Sequence, residues 1–341
     1  MKARAILLAS VLLVVGCQAS KNDANIQQHV QNFSAAASQR EARKCMGWAQ
    51  LMDDNKFCNN PFNKDCVQKK DLWVFIGNEL KMGVPENFRI REQKQKYLHS
   101  KNYIYNLTLR AEPYMYWIVG QLKKRNMPME LALLPIVESA FDPNATSDAN
   151  AAGIWQIIPS TGRSYGLKQT RGYDARRDVV ASTTTALDIM QHLNKIFGGD
   201  WLLTIAAYNS GEGRVMQALK TNKAHGKPTD FWSLALPHET RVYVPKMLAL
   251  SDIVKNGRRY NVKLSKTDEG RALACVHLDS PAKLRNLACM AGISVEKLRT
   301  FNAGVSESTL GASSPKYVLV PQKYADQLRE SLASAGGSKV I

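Results

Sequence analysis

Glu138 is the residue in this sequence best placed to do chemistry. It follows the apolar run Leu131, Leu133, Leu134, Ile136 and Val137, and Ser139 stands beside it. A carboxylate at the end of such a run loses water, and burial disfavours its charged form. Its pKa then rises toward neutrality, where a carboxyl serves as a general acid for bonds such as the glycosidic one. Asp142 lies four residues on. On a continuous helix that pair would stand about 5–6 Å apart, near the roughly 5 Å of a retaining glycosidase. Pro143 biases Asp142 away from helical geometry, so the helix should end near Phe141 and turn Asp142 to capping. Asp148 sits in a loop, while Glu212 and Glu239 are candidates for binding or orientation; none reads as a nucleophile. A lone buried glutamate is more often half of a structural ion pair than a catalyst, so its surroundings must decide.

Those surroundings carry two further motifs. Gly153-Ile154-Trp155-Gln156 follows after a short polar stretch, and Ala206-Ala207-Tyr208-Asn209-Ser210-Gly211 comes about fifty residues later. In this order, Glu-Ser, Gly-x-Trp-Gln and Ala-Tyr-Asn resemble the catalytic core of the lytic murein transglycosylases, across roughly residues 110 to 255. The resemblance implies a fold related to goose-type lysozyme and a peptidoglycan glycan strand as substrate. It makes Glu138 the single acid and then base. The substrate's own C6 hydroxyl is the nucleophile and leaves a 1,6-anhydro end, so no second carboxylate, metal or cofactor is required. Intramolecular attack of this kind gains large effective molarity. The same resemblance places Ser139, Ser147, Gly153, Gln156, Tyr208, Asn209 and Glu239 at substrate-binding positions, with the Tyr208 hydroxyl near the catalytic carboxyl. Gly153 also suits a turn where backbones approach closely, and Trp155 reads as core packing. The rival readings are a hydrolytic muramidase on the same fold and a non-catalytic wall-binding lipoprotein.

The elements that must position these residues are mainly helical. Helical spacing of apolar residues marks Asp71 to Met82 and Arg110 to Lys124, and the strongly charged Arg89 to Lys101 between them reads as a solvated helix. Glu130 to Ser139 is apolar nearly all round, the mark of a buried helix. Later helices cover Val179 to Phe197, Trp201 to Tyr208, Gly213 to Thr221 and Pro237 to Lys255. No sustained alternation precedes residue 260, so the expected fold class is mainly α: a lysozyme-like (goose-type) catalytic domain at 110–260 behind an N-terminal helical extension at 71–109. From 270 to 325 the texture changes. Two short helices, Ala282 to Met290 and Val295 to Phe301, precede a strand over Tyr317 to Pro321. This small α+β module resembles a degenerate LysM unit without the usual opening strand, and a structural appendage weighs as much as a glycan binder. Residues 326–341, with Gly336-Gly337-Ser338, read as a flexible tail.

Charge and the N-terminus narrow the partners. The 341 residues carry a formal charge of +17, which calls for a polyanionic surface or polymer. Met1-Lys2-Ala3-Arg4 and the apolar stretch to Gly16 form a signal peptide, 1–16, too short to span a bilayer. Val14-Val15-Gly16-Cys17 resembles a lipobox, making Cys17 the expected lipidation site, and Gln18 after it suits an outer-membrane anchor facing the periplasm of a Gram-negative cell. Residues 17–70 read as a tether. Secretion points the charge at the wall or an anionic membrane, not at nucleic acid; protein partners leave no mark in the sequence. Cys45, Cys58, Cys66, Cys275 and Cys289 show no metal-site spacing, and the closest pairs in sequence are Cys58–Cys66 and Cys275–Cys289.

Overall fold

A computed structural model describes residues 71–311 and 314–337. The signal peptide, Cys17, the tether, Cys45, Cys58 and Cys66 lie outside the described residues. Helices α1 (Leu72–Glu79), α2 (Phe88–Leu98) and α3 (Lys101–Lys124) come first. A 3-10 turn, Met129–Leu133, leads into α4 (Leu134–Ser139), and α5 (Pro159–Ser164), α6 (Val179–Ile196), α7 (Trp201–Ser210), α8 (Glu212–Ala224) and α9 (His238–Lys255) follow. Capping chemistry explains several starts. Asp178 accepts from the Val180 and Ala181 N–H groups at α6, and Asp200 from those of Leu202 and Leu203 at α7.

Helix α9 is the hub, packing against α1, α2, α4, α7 and the 3-10 turn, while α3 runs across α6 and the same turn. The run around Glu138 is buried on nearly every side, with Leu131, Leu133 and Leu134 fully inside. It is not one α-helix, because its first half winds as 3-10. Other boundaries move: α1 stops at Glu79, short of Met82, α2 ends at Leu98, α3 begins at Lys101 and not at Arg110, and α8 extends to Ala224. Among the described residues no helix is long and apolar enough to cross a membrane.

The C-terminal module corrects three expectations. An opening strand does exist: β1 (Leu273–His277) pairs antiparallel with β4 (Tyr317–Pro321), from Leu273 opposite Pro321 to His277 opposite Tyr317. A second pair, β2 (Ala282–Lys283) with β3 (Thr309–Leu310), takes the first two residues expected to start a helix; α10 (Leu284–Ala291) and α11 (Val295–Phe301) follow. The stretch read as a flexible tail is helical through α12 (Ala325–Gly337), which packs on α10 and β1 with Leu328 buried. No disulfide joins the thiols of Cys275, buried on β1, and Cys289, exposed on α10. One hydrophobic cluster runs through both halves, from Leu72 to Leu328.

Candidate active site

Helix α4 stops one residue after Glu138. Ala140 and Phe141 both take left-handed backbone conformations, φ 52° and 58°, and their N–H groups return to Ile136 and Pro135 carbonyls at 3.1 Å each. This is the geometry of a helix C-cap, where glycine or asparagine is usual. Non-glycine residues are strained there, and packing holds them: Phe141 is fully buried and its ring stacks on Tyr114 at 6.1 Å. The helix therefore ends two residues earlier than Pro143 alone implies. Asp142 turns away and caps the next turn, accepting from the Asn144 N–H at 2.9 Å.

Glu138 is half-buried at this helix end, and protein atoms crowd its carboxyl. Loss of water pushes its pKa up from the ordinary 4.5 to about 7. A hydrogen bond donated by the Tyr243 hydroxyl opposes that rise, the nearby charge of Glu239 adds to it, and Lys246 lowers it. Burial, then the Glu138 charge, holds Tyr208 and Tyr243 well above the usual phenol range, so both remain neutral donors. Tyr243→Phe removes the donor that favours the carboxylate. The expected outcome is that the alkaline limb of the rate profile moves to higher pH, measured as kcat/KM against pH.

The loop after α4 forms the neighbouring wall. Ala152 bridges to both Thr146 and Ile157, and the Ser147 hydroxyl accepts from the Ala151 N–H at 3.1 Å. Ser139 spends its hydroxyl on the Ile154 carbonyl at 3.1 Å, and Tyr208 donates to the Trp155 carbonyl at 2.8 Å. Two successive carbonyls of the wall are thus tied to α4 and α7. Trp155 is fully buried, with its indole N–H on Thr183 at 2.9 Å. Gly153 (φ 79°) is pressed on Arg176: a Cβ there would lie 2.1 Å from the Arg176 carbonyl oxygen. Gln156 is half-buried with φ 47°, and its amide donates to the Gly153 carbonyl at 2.8 Å.

The opposite side comes from α7 and α9. Asn209 donates to Glu239 at 3.0 Å and accepts from Thr240 at 2.8 Å, which orients Glu239 at the start of α9. One turn further, the same helix presents Tyr243. Tyr208 sits near Glu138 electrostatically, but its hydroxyl serves Trp155; the phenol bonded to the Glu138 carboxyl is Tyr243. Among the other acidic candidates, Asp148 is exposed on the wall loop, and Glu212 faces His192 at 4.0 Å. Tyr243 is not among the residues that the sequence singles out. No spacing signal marks it, because its partner lies 105 residues away.

Comparison with known proteins places this arrangement. Residues 115–231 match the family model described as "Transglycosylase SLT domain", and residues 272–336 match "Lytic transglycosylase MltD, LysM-like domain". The chain is 71% identical over 334 residues to "Membrane-bound lytic murein transglycosylase D" of Escherichia coli strain K12, covering 98% of this chain and 71% of that protein. It is 46% identical over 122 residues to a "Putative tributyltin chloride resistance protein" of Alteromonas sp., covering 36% of this chain and 59% of that one. A "Putative soluble lytic murein transglycosylase" of Haemophilus influenzae is 35% identical over 117 residues, 33% of this chain and 19% of that protein. The lysozyme-like, mainly helical half and the small strand-bearing LysM-like module of the structure agree with the two family models, and the chain belongs to the membrane-bound lytic murein transglycosylase D family.

Proposed function

We propose that this chain is a peptidoglycan lytic transglycosylase in which Glu138 first protonates the glycosidic oxygen between N-acetylmuramic acid and N-acetylglucosamine. The same carboxylate then takes the proton of the muramoyl C6 hydroxyl as that oxygen closes on C1. The leaving N-acetylglucosamine keeps the first proton, the 1,6-anhydro ring forms, and Glu138 returns to its acid form. The supporting observation is one carboxyl poised near neutral pH and held by a hydrogen bond from the Tyr243 hydroxyl. A pKa of about 7 serves both steps, since the group must donate and accept at the same pH. Tyr243 and Tyr208 position the acid and the wall behind it, Glu239 and Asn209 form the facing rim, and Ser147, Gly153 and Gln156 shape the wall against the sugars. Ser139 acts through the wall's backbone and not by touching substrate.

The domain limits 71–109, 110–260 and 270–325 are our proposed division, with the last extended through α12 to match the LysM-like model. We also propose that a lipid on Cys17 holds the enzyme at the outer membrane, facing the wall. The lipobox, Gln18 and the +17 charge support that placement. Mass spectrometry of sacculi digested with the purified chain tests the reaction. Products ending in 1,6-anhydromuramic acid are expected; reducing muramoyl ends would replace this reading with a hydrolytic one.

A further inference from the structure

The C-terminal module meets the catalytic half along a seam that the proposed chemistry does not require. Tyr173 and Val305 form an isolated antiparallel bridge. Beside it the Asp174 N–H donates to the Gly304 carbonyl at 2.8 Å, the Ser306 N–H to Gly172 at 3.1 Å, and the Ser306 hydroxyl to Arg171 at 2.7 Å. Behind the bridge lies Asp178, only 7% exposed. One of its oxygens caps α6, through the Val180 and Ala181 N–H groups at 2.9 and 3.1 Å. The other accepts from two hydroxyls, Tyr173 at 2.9 Å and, from β4 of the module, Tyr317 at 2.5 Å. Four donors saturate this carboxylate, and removing one leaves a buried acceptor short of a partner.

The same loop, 168–178, reaches the substrate wall from its other side. Arg176 is 9% exposed, donates to the Asn150 carbonyl at 2.6 Å and to Ile157 at 3.2 Å, and is held by Asp174 at 2.7 Å. Arg177 donates to the Pro143 and Ala145 carbonyls at 3.2 Å each. The Arg176 carbonyl is also the surface on which Gly153 rests. A continuous set of contacts therefore runs from Gly304, Ser306 and Tyr317 through Asp174, Arg176 and Arg177 to the loop that follows Glu138.

We propose that the LysM-like module is a positioning brace for the substrate groove: its Gly304–Ser306 turn and Tyr317 fix loop 168–178, which sets where the 143–157 wall stands relative to Glu138. The inference rests on the lytic transglycosylase reading above. It assigns this face of the module to turnover and not to wall affinity, since its carbonyls and hydroxyls are already bonded inside the protein.

Gly304→Ala tests it without touching the groove. A Cβ at Gly304 would stand 2.9 Å from the Asp174 carbonyl oxygen and 3.2 Å from the Asp178 nitrogen, so it wedges the seam open. With soluble glycan strands, at a temperature where melting curves show both proteins folded, kcat should fall about tenfold, because small displacements at a reacting site cost that much or more. KM and co-sedimentation with sacculi should stay within about twofold, a change worth only about 0.4 kcal/mol. Tyr317→Phe keeps the ring and deletes one donor, and a smaller loss in kcat, with the same unchanged binding, is expected. It decides the matter should Gly304→Ala not fold. Wild-type kcat in a folded variant, or a loss confined to sacculus binding, would overturn the brace. Anhydro ends from the unmodified chain test the functional reading separately, so failure of one is not mistaken for failure of the other.

Discussion

Glu138→Gln should abolish release of muropeptides from purified sacculi, lowering kcat by about a thousandfold or more, because one group performs both proton transfers and each is worth roughly 10²–10⁴. Glutamine has nearly the same shape and its carbonyl can still accept from Tyr243, so binding to glycan strands should persist. The substitution should also raise stability in a pH-dependent way. The folded pKa of Glu138 lies above its unfolded value, about 7 against 4.5, so the folded state binds the extra proton between those limits. Wild-type stability contributed by this group is complete below pH 4.5 and is lost as pH rises through 7. Glutamine does not titrate. Above pH 7 the variant should therefore exceed wild type by up to about 3 kcal/mol, and the advantage should vanish near pH 4.5, as read from urea unfolding at both pH values. An active Glu138→Gln would remove the carboxyl from the mechanism.

Gly153→Ala should be the most damaging single methyl in the molecule. The added carbon would meet the Arg176 carbonyl oxygen at 2.1 Å, and the φ of 79° strains any side chain. Backbone stands on both sides of the clash, so no rotamer change relieves it. Overpacking costs about 1–3 kcal/mol and a left-handed non-glycine about 1–2 more. A fall of roughly 10 °C in melting temperature should follow, and scanning calorimetry reads it directly. Activity should drop even at temperatures where the variant is folded, because the wall that carries Ser147 and Gln156 must shift. A variant that melts with wild type would show that the wall is looser than this contact implies.

Much of this site was legible because its parts lie close together in sequence. The apolar run before Glu138, Pro143 after it and Gly153 in its turn are local signals, and they mark a water-poor carboxyl, a nearby helix end and the tight backbone contact. What escaped was set by tertiary packing. Ala140 and Phe141 adopt a cap that their side chains do not favour, because Phe141 stacks on Tyr114. Tyr243 reaches Glu138 across 105 residues. Strand β1, Leu-Ala-Cys-Val-His, is a short, mostly buried run, and periodicity alone cannot distinguish such a run from helix. Helix α12 has weakly apolar residues that become informative only when Leu328 is seen buried against the module.

The proposed mechanism requires a Glu138 carboxyl that keeps its proton near neutral pH. Titration of the Glu138 side-chain carboxyl by carbon-13 NMR, assigned by its loss in Glu138→Gln, reports that proton directly. A midpoint near 7, moving higher in Tyr243→Phe, is the predicted result. A midpoint near 4.5 would mean a solvated carboxylate with no proton to give, and would contradict the mechanism.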